Sequence, residues 1–191
     1  MAEMKRLDKI KEYAKRTPAF DTKSVVRLAG DKDYAYLLLN RLLKTGQIKR
    51  ITRGYYTIHE EPSLIAYCLK PAYLGLQDAM SLHNLWEQET NPIVLTTRRV
   101  RPGIRKVFGS NVIIRRISPK HFFGYDYVRQ GEFLLPVSDI EKTFIDMVYF
   151  REMRKEMAKA FRRRIDREKL REYLKRYHRR FAHNVLGLLK T

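Results

Sequence analysis

The chain has 191 residues, of which 40 are Lys or Arg and 21 are Asp or Glu, so its formal net charge is +19. Such an excess of cations favours an anionic partner, nucleic acid before anionic lipid. Hydrophobic residues make up 44% of the chain, which argues against a disordered protein. Cys68 is its one cysteine, so a disulfide framework does not fit. The sequence has neither a long apolar run nor an apolar signal segment, and we therefore predict a cytoplasmic protein without membrane contact.

Residues 1–60 predict a winged helix-turn-helix domain. After a supporting helix, residues 21–58 show the pattern of two helices and a hairpin. Asp21 can cap the first helix of this pair, and Asp31 or Asp33 can cap the second. A glycine turn then joins two β-rich runs, which is a hairpin signal. Helix, turn, helix and hairpin in this order are typical of a DNA-binding domain.

The second helix of this pair has an apolar side and a polar side on a helical wheel. Tyr36, Asn40 and Arg41 fall on the polar side, together with Leu37, and we predict that the first three read DNA bases. Asn can pair with adenine and Arg with guanine in the major groove. The residues predicted to contact phosphate are Lys44, Lys49, Arg50, Arg53 and Gly54, the last because it allows close backbone approach. A solvated face on an ordinary amphipathic helix is the simpler interpretation, but the basic hairpin favours DNA binding.

Residues 61–150 predict an α+β domain with a mixed or antiparallel sheet. Helix patterns over 63–69 and 76–86 precede strand-like runs between Pro92 and Val137. Ser138 and Glu141 then have the spacing of a capping box at the start of a helix. In the same domain, Cys68 and His83 are expected to be structural residues.

Residues 151–191 predict basic C-terminal helices, because they carry 15 basic and 5 acidic side chains. Asp166 can cap a last helix that continues through Leu188. The charged groups form either a solvated helix face or a phosphate-binding surface. The apolar stripe of these helices can instead be the interface of a homodimer. Such a dimer would present two base-reading helices, one from each protomer, to an inverted repeat in the DNA. The predicted secondary basic surface consists of Arg98, Arg99, Arg101, Arg162, Arg163, Arg164, Arg179 and Arg180.

No residue pattern indicates catalysis or a cofactor. The histidines lack metal-ligand spacing, the glycines lack the ending of a phosphate loop, and no serine or cysteine has a base in a recognisable arrangement. We therefore predict a protein that is not an enzyme and has no catalytic residues, metal or cofactor. Two alternatives to a DNA-binding regulator remain. One is an RNA-binding or ribonucleoprotein-associated protein whose Tyr173, Tyr177 and Phe181 stack on bases. The other is a metal-dependent nuclease, whose candidate metal ligands are Asp126, Glu132, Asp139, Glu141 and Asp146.

Five segments follow one another in an order that carries a family resemblance. They are the wing segments 46–50 and 53–56, the helix end Asp78-Ala79-Met80-Ser81-Leu82-His83-Asn84-Leu85, the strand run 92–97, and residues 137–146 with Ser138, Glu141, Lys142 and Asp146. Over residues 10–150 the chain resembles the AbiEi-type antitoxins and transcriptional regulators of abortive-infection (phage-defence) systems. Asn84 stands where that family usually has glycine, and the tail after residue 150 is more basic than the resemblance leads us to expect.

The resemblance implies a function for the chain. It implies an autorepressor that binds double-stranded operator DNA through its N-terminal domain. It also implies an antitoxin that neutralises a nucleotidyltransferase-class toxin, with no direct contact required. The antitoxin activity would lie in the second domain.

Overall fold

A computed structural model describes residues 2–88 and 90–189 of the chain. The chain divides into two compact units: residues up to Cys68 together with Lys106–Ser110, and Leu69–Arg105 together with residues from Asn111 onwards. N-terminal helices are followed by a sheet domain and then by C-terminal helices, which confirms the α+β class. No helix within the described ranges has the length and apolar character needed to cross a membrane.

The first unit contains a helical bundle and a small antiparallel sheet. Its elements are α1 (Ala2–Arg16), β1 (Phe20–Asp21), α2 (Thr22–Ala29), α3 (Lys32–Lys44), β2 (Lys49–Thr52), β3 (Tyr55–Thr57), a 3-10 turn (Pro62–Leu64) and α4 (Ile65–Cys68). Asp21 caps α2 by accepting a 2.8 Å hydrogen bond from the Ser24 N–H. Asp31, of the two candidates, caps α3 through the Tyr34 N–H at 2.7 Å.

The small sheet has a strand that the sequence pattern does not reveal. β1 pairs with β3, so the strand order is β1-β3-β2 rather than a two-stranded hairpin. Phe20 of β1 and Tyr56 of β3 are both buried, and their ring centroids lie 6.0 Å apart. They pack in one core with Ile10 of α1, Val25 of α2 and Leu38 of α3. This core fixes the three helices and the wing, which we define as β2, its turn and β3.

The second unit contains a six-stranded mixed sheet followed by helices, except that the part of the sheet within Lys106–Ser110 is grouped with the first unit. Its elements are β4 (Ala72–Leu74), α5 (Leu76–Leu82), β5 (Ile93–Thr96), β6 (Gly103–Val107), β7 (Ser110–Arg116), a 3-10 turn (Pro119–His121), β8 (Tyr125–Gln130), β9 (Phe133–Ser138), α6 (Ile140–Tyr149), α7 (Lys155–Arg162), α8 (Arg167–Leu174) and α9 (Arg179–Leu188). The strand order is β6-β7-β5-β4-β9-β8. β4 runs antiparallel to β5 and parallel to β9, so the sheet is mixed.

The predicted capping box at the start of α6 is wrong. Asp139 is the N-cap residue, and its carboxylate accepts a 2.8 Å hydrogen bond from the Lys142 N–H. The Ser138 hydroxyl is buried and lies 2.7 Å from the hydroxyl of Thr143. The carboxylate of Glu141 accepts a 2.8 Å hydrogen bond from the N–H of Asp166, the cap of α8. Glu141 therefore links two helices.

Two helices also end earlier than the pattern suggests. α5 stops at Leu82 rather than at residue 86, and Asn84 follows it with φ of 56°, a conformation that glycine and asparagine adopt most readily. The predicted last helix is two helices, α8 and α9. His178 caps α9, because its ring nitrogen accepts a 3.3 Å hydrogen bond from the Arg180 N–H.

Candidate nucleic-acid interface

The polar side of α3 faces solvent while its apolar side is buried. Leu38, Leu39 and Leu42 are at most 2% exposed. Asn40 and Arg41 are exposed, as is Tyr36. The residues of α3 are therefore buried and exposed with the helical period that the sequence predicts, one apolar stripe facing the core and one polar stripe facing solvent.

The predicted base-reading residues come together in one shallow hollow on α3. Tyr36, Asn40 and Arg41 all line it, and so does Lys44 from the last turn. The hollow is completed by Asp33, Leu37 and Thr45. One helical surface thus presents a phenol, an amide, a guanidinium and an ammonium group. Amide and guanidinium groups can each form paired hydrogen bonds with a base edge.

A neighbouring hollow adds three cations that the sequence reading missed. Lys23 and Arg27 of α2 line it with Lys32, the first residue of α3, and Tyr36 borders this hollow as well as the other. All three cationic side chains are exposed. The sequence could have indicated Lys23 and Arg27 as a pair of exposed cations, because they lie four residues apart and therefore on one face of α2.

Two residues of the wing make contacts within the chain. Lys49 forms an ion pair with Glu60 rather than presenting an unengaged ammonium group. Gly54 has φ of 78°, and its carbonyl oxygen accepts a 2.9 Å hydrogen bond from the Thr22 N–H. The turn conformation is thus the observed reason for glycine at this position. Arg53, next to it, is exposed at the turn.

Arg50 lies on β2 and contacts an aromatic ring of β3. Its guanidinium carbon is 5.9 Å from the centroid of the Tyr56 ring, within cation–π range. Its side chain is nevertheless exposed. Arg50 and Arg53 therefore present positive charge on the outer surface of the wing.

The predicted secondary basic surface occupies three segments of the second unit. These are the loop between β5 and β6 with Arg98, Arg99 and Arg101, the end of α7 with Arg162, Arg163 and Arg164, and the start of α9 with Arg179 and Arg180. Arg162 is partly buried and the other seven are exposed.

Two shallow hollows on the C-terminal helices contain further basic groups. Arg167 and Arg171 of α8 line one of them with His183 of α9. His183 also lines the second, together with His178 and Arg180. The sequence reading omitted Arg167, Arg171 and His183, because contacts between α8 and α9 cannot be seen in a single-helix pattern.

Three aromatic rings proposed for base stacking are partly buried within the second unit. Tyr177 stacks on His121 with the ring centroids 4.1 Å apart, and on Phe181 at 5.0 Å. Tyr173 meets Phe123 edge to face at 5.0 Å. These rings therefore already have aromatic partners inside the chain.

A fully buried ionic group lies beneath these aromatic residues. Lys142 and Asp146 of α6 form an ion pair with neither side chain exposed, and the Tyr73 hydroxyl donates a 2.7 Å hydrogen bond to Asp146. Burial lowers the pKa of Lys142 and raises that of Asp146, although each partner's charge opposes the shift. The segment 137–146 contains Lys142 and Asp146, but its pattern does not predict that they are buried as a pair, because lysine is rarely buried.

Of the carboxylates considered for a nuclease, Asp126 and Glu132 are both exposed. Asp126 lies on β8 and Glu132 in the turn that follows it. Within residues 2–88 and 90–189, no group of three or more His, Cys, Asp and Glu side chains has an arrangement that could hold a metal ion.

No protein-family model matches the chain, and no curated protein matches it significantly. Its function must therefore be inferred from the geometry and charge of these surfaces.

Proposed function

We propose that this chain is a sequence-specific DNA-binding regulator that represses its own operon. The observation that carries the proposal is the exposed polar face of α3, where Tyr36, Asn40 and Arg41 line one hollow. The same unit has a wing with two exposed arginines, and the chain as a whole carries a net charge of +19. A basic chain that exposes hydrogen-bonding side chains on the second helix of a helix-turn-helix is suited to the major groove.

In this proposal α3 enters the major groove and the wing follows the backbone. Asn40 and Arg41 select bases, since their paired donors and acceptors match adenine and guanine edges. Lys44 and Arg53 bind phosphates, which fixes the register of α3 but carries no sequence information. Further phosphate contacts come from Lys23, Arg27 and Lys32, because these residues line the adjacent hollow on the other side of Tyr36.

The second half of the proposal is antitoxin activity in the second unit. Its support is the family resemblance, and in particular the segment from Ser138 to Asp146. In this reading the chain acts in the cytoplasm as a homodimer on an inverted repeat. It counteracts a nucleotidyltransferase-class toxin without needing to bind it.

The test of DNA binding is selection of bound duplexes from a random pool with the full chain, followed by footprinting. We expect enrichment of one consensus, with protection over it and competition by duplex DNA in preference to structured RNA. A variant with Asn40→Ala and Arg41→Ala is the control, and it should enrich no consensus although it still binds duplexes weakly. Equal binding to all duplexes by the unmodified chain would contradict the proposal, as would preference for RNA.

The antitoxin half has its own test. Co-expression with a candidate toxin gene from the same operon should restore growth. The variant with Asn40→Ala and Arg41→Ala should also restore growth when it is expressed from an unrelated promoter, because these residues lie outside the second unit. Growth arrest in both cases would contradict antitoxin activity.

A further inference from the structure

We infer that Leu37 is a specificity-determining residue that contacts the 5-methyl group of thymine in the major groove. This inference rests on the proposed DNA-binding function and deepens it, because it names the base that one more residue of α3 selects.

The exposure of Leu37 distinguishes it from the leucines that follow it. Its side chain is 58% exposed, whereas Leu38, Leu39 and Leu42 of the same helix are at most 2% exposed. Exposed leucines are common on protein surfaces and need no special explanation when they stand alone. Leu37, however, lines the same hollow as the three residues proposed to read bases.

The position of Leu37 places it near the centre of this polar surface. It lies four residues after Asp33 and four before Arg41, so the three side chains follow one another along one face. Asn40 is three residues further on and lies beside it. Leu37 also belongs to the N-terminal half of α3, which begins at Lys32. In helix-turn-helix proteins the reading helix lies in the major groove and contacts base edges.

The chemistry of the groove identifies the ligand of an apolar side chain here. The major-groove edges of the four bases present hydrogen-bonding groups, and thymine adds a methyl group at C5. A leucine surrounded by an amide, a guanidinium and a phenol gains contact area from that methyl group. An apolar protein partner would instead have to bury the charges of Asp33, Arg41 and Lys44 that line the same hollow. A duplex with thymine at this position leaves Arg41 and Lys44 beside phosphates and polar base edges, and it leaves the Asp33 carboxylate hydrated.

The test replaces each thymine of the selected consensus by deoxyuridine, which lacks only the methyl group. We expect at least one position at which this replacement weakens binding by the unmodified chain about three- to fivefold, the effect of losing one buried methyl group. Leu37→Ala should bind the thymine and deoxyuridine duplexes equally at that position. Its thermal unfolding midpoint should be unchanged, because the side chain is exposed.

Leu134→Ala is the matched control, since Leu134 is a 51% exposed leucine on β9 in the other unit. It should keep the full difference between thymine and deoxyuridine. A consensus without an enriched thymine would overturn the inference, and so would deoxyuridine sensitivity that persists in Leu37→Ala. In either case the proposed regulator still stands, because a consensus was selected. A chain that enriches no consensus contradicts the proposed function itself.

Discussion

The backbone N–H of Thr22 donates a 2.9 Å hydrogen bond to the carbonyl oxygen of Gly54. The hydroxyl of Thr22 reaches the same oxygen at 3.3 Å. Thr22 is the first residue of α2, and Gly54 lies in the turn of the wing. The wing turn is therefore joined to the helix that precedes α3, so the positions of the two proposed DNA-contacting elements are coupled.

Gly54→Ala should destabilise the first unit by about 1–2 kcal/mol, the cost of a side chain in a left-handed conformation. A Cβ atom at this position would lie 3.6 Å from the Thr22 hydroxyl, an ordinary contact, so the cost comes from the backbone with φ of 78°. Denaturant unfolding measures the change. Gly54→Asn is the control and should cost less, because asparagine tolerates this conformation. Equal losses for Ala and Asn would show that the backbone conformation is not the cause.

Arg53→Ala should weaken binding to all duplexes and reduce the slope of log affinity against log salt by about one unit. Arg53 is exposed at the turn of the wing, whereas Lys49 is paired with Glu60. The measurement is binding to the consensus and to a random duplex over a range of salt concentrations. Arg16→Ala is the comparison, since Arg16 is paired with Glu12 on α1 and should leave the slope unchanged. A normal slope in Arg53→Ala would rule out this phosphate contact.

Arg41→Ala should cost about 1–3 kcal/mol on the consensus and clearly less on random DNA, because it removes a base contact. Paired titrations of the two duplexes at one salt concentration give the difference. Arg129→Ala removes an exposed arginine of β8 in the second unit and should not change the ratio of the two affinities. If Arg41→Ala reduced both affinities equally, Arg41 would be a phosphate contact rather than a base contact.

Local sequence patterns predict most of α3. The elements that these patterns do not predict depend on contacts between distant parts of the chain. The period of Leu38, Leu39 and Leu42 determines which side of the helix is buried, so the exposed face can be predicted without coordinates. β1 has two residues and forms only by pairing with β3, more than 30 positions away in the chain. A strand of that length has no periodicity to detect.

The start of α6 shows a second limit of sequence patterns. Ser138 and Glu141 have the spacing of a capping box, but Glu141 finds a partner 25 residues later in Asp166. Lys142 is fully buried, because it pairs with Asp146 and its ammonium group lies 5.6 Å from the centroid of the Tyr73 ring. Lysine and glutamate patterns alone predict exposure at both positions. The partner of Glu141 comes from a distant segment, and so does the Tyr73 ring that covers Lys142, although the ion-pair partner of Lys142 is only four residues away.

Acidification should destabilise the second unit through His121. Burial lowers the pKa of His121 from its ordinary 6.5, and the charges of Lys120 and Lys142 lower it further. The ring stacks on Tyr177 and meets Tyr149 edge to face. The folded state therefore stays neutral where the unfolded state takes up a proton, so stability falls as the pH drops below about 6.5.

The His121→Phe variant should lose less stability than the unmodified chain when the pH is lowered, because phenylalanine can still stack on Tyr177 but cannot take up a proton. Denaturant unfolding at pH 7.5 and 5.5 gives the two stabilities for each variant. His183→Phe changes an exposed histidine of α9 and should keep the full pH dependence. A His121→Phe protein as sensitive to acid as the unmodified chain would assign the effect to other groups.

Lys142→Met should destabilise the second unit by roughly 3–5 kcal/mol at neutral pH, because it leaves the carboxylate of Asp146 buried without its cation. Lys142 and Asp146 are both fully buried, and the carboxylate would keep its 2.7 Å hydrogen bond from Tyr73 but lose its cation.

The paired variant Lys142→Met with Asp146→Leu separates charge from packing, and it should recover much of the lost stability. The deficit of Lys142→Met should also shrink towards acid pH. Burial raises the pKa of Asp146 in the folded state, so that state takes up a proton before the unfolded state does. A paired variant less stable than Lys142→Met would mean that the shapes of these side chains, rather than their charges, determine the stability of this core.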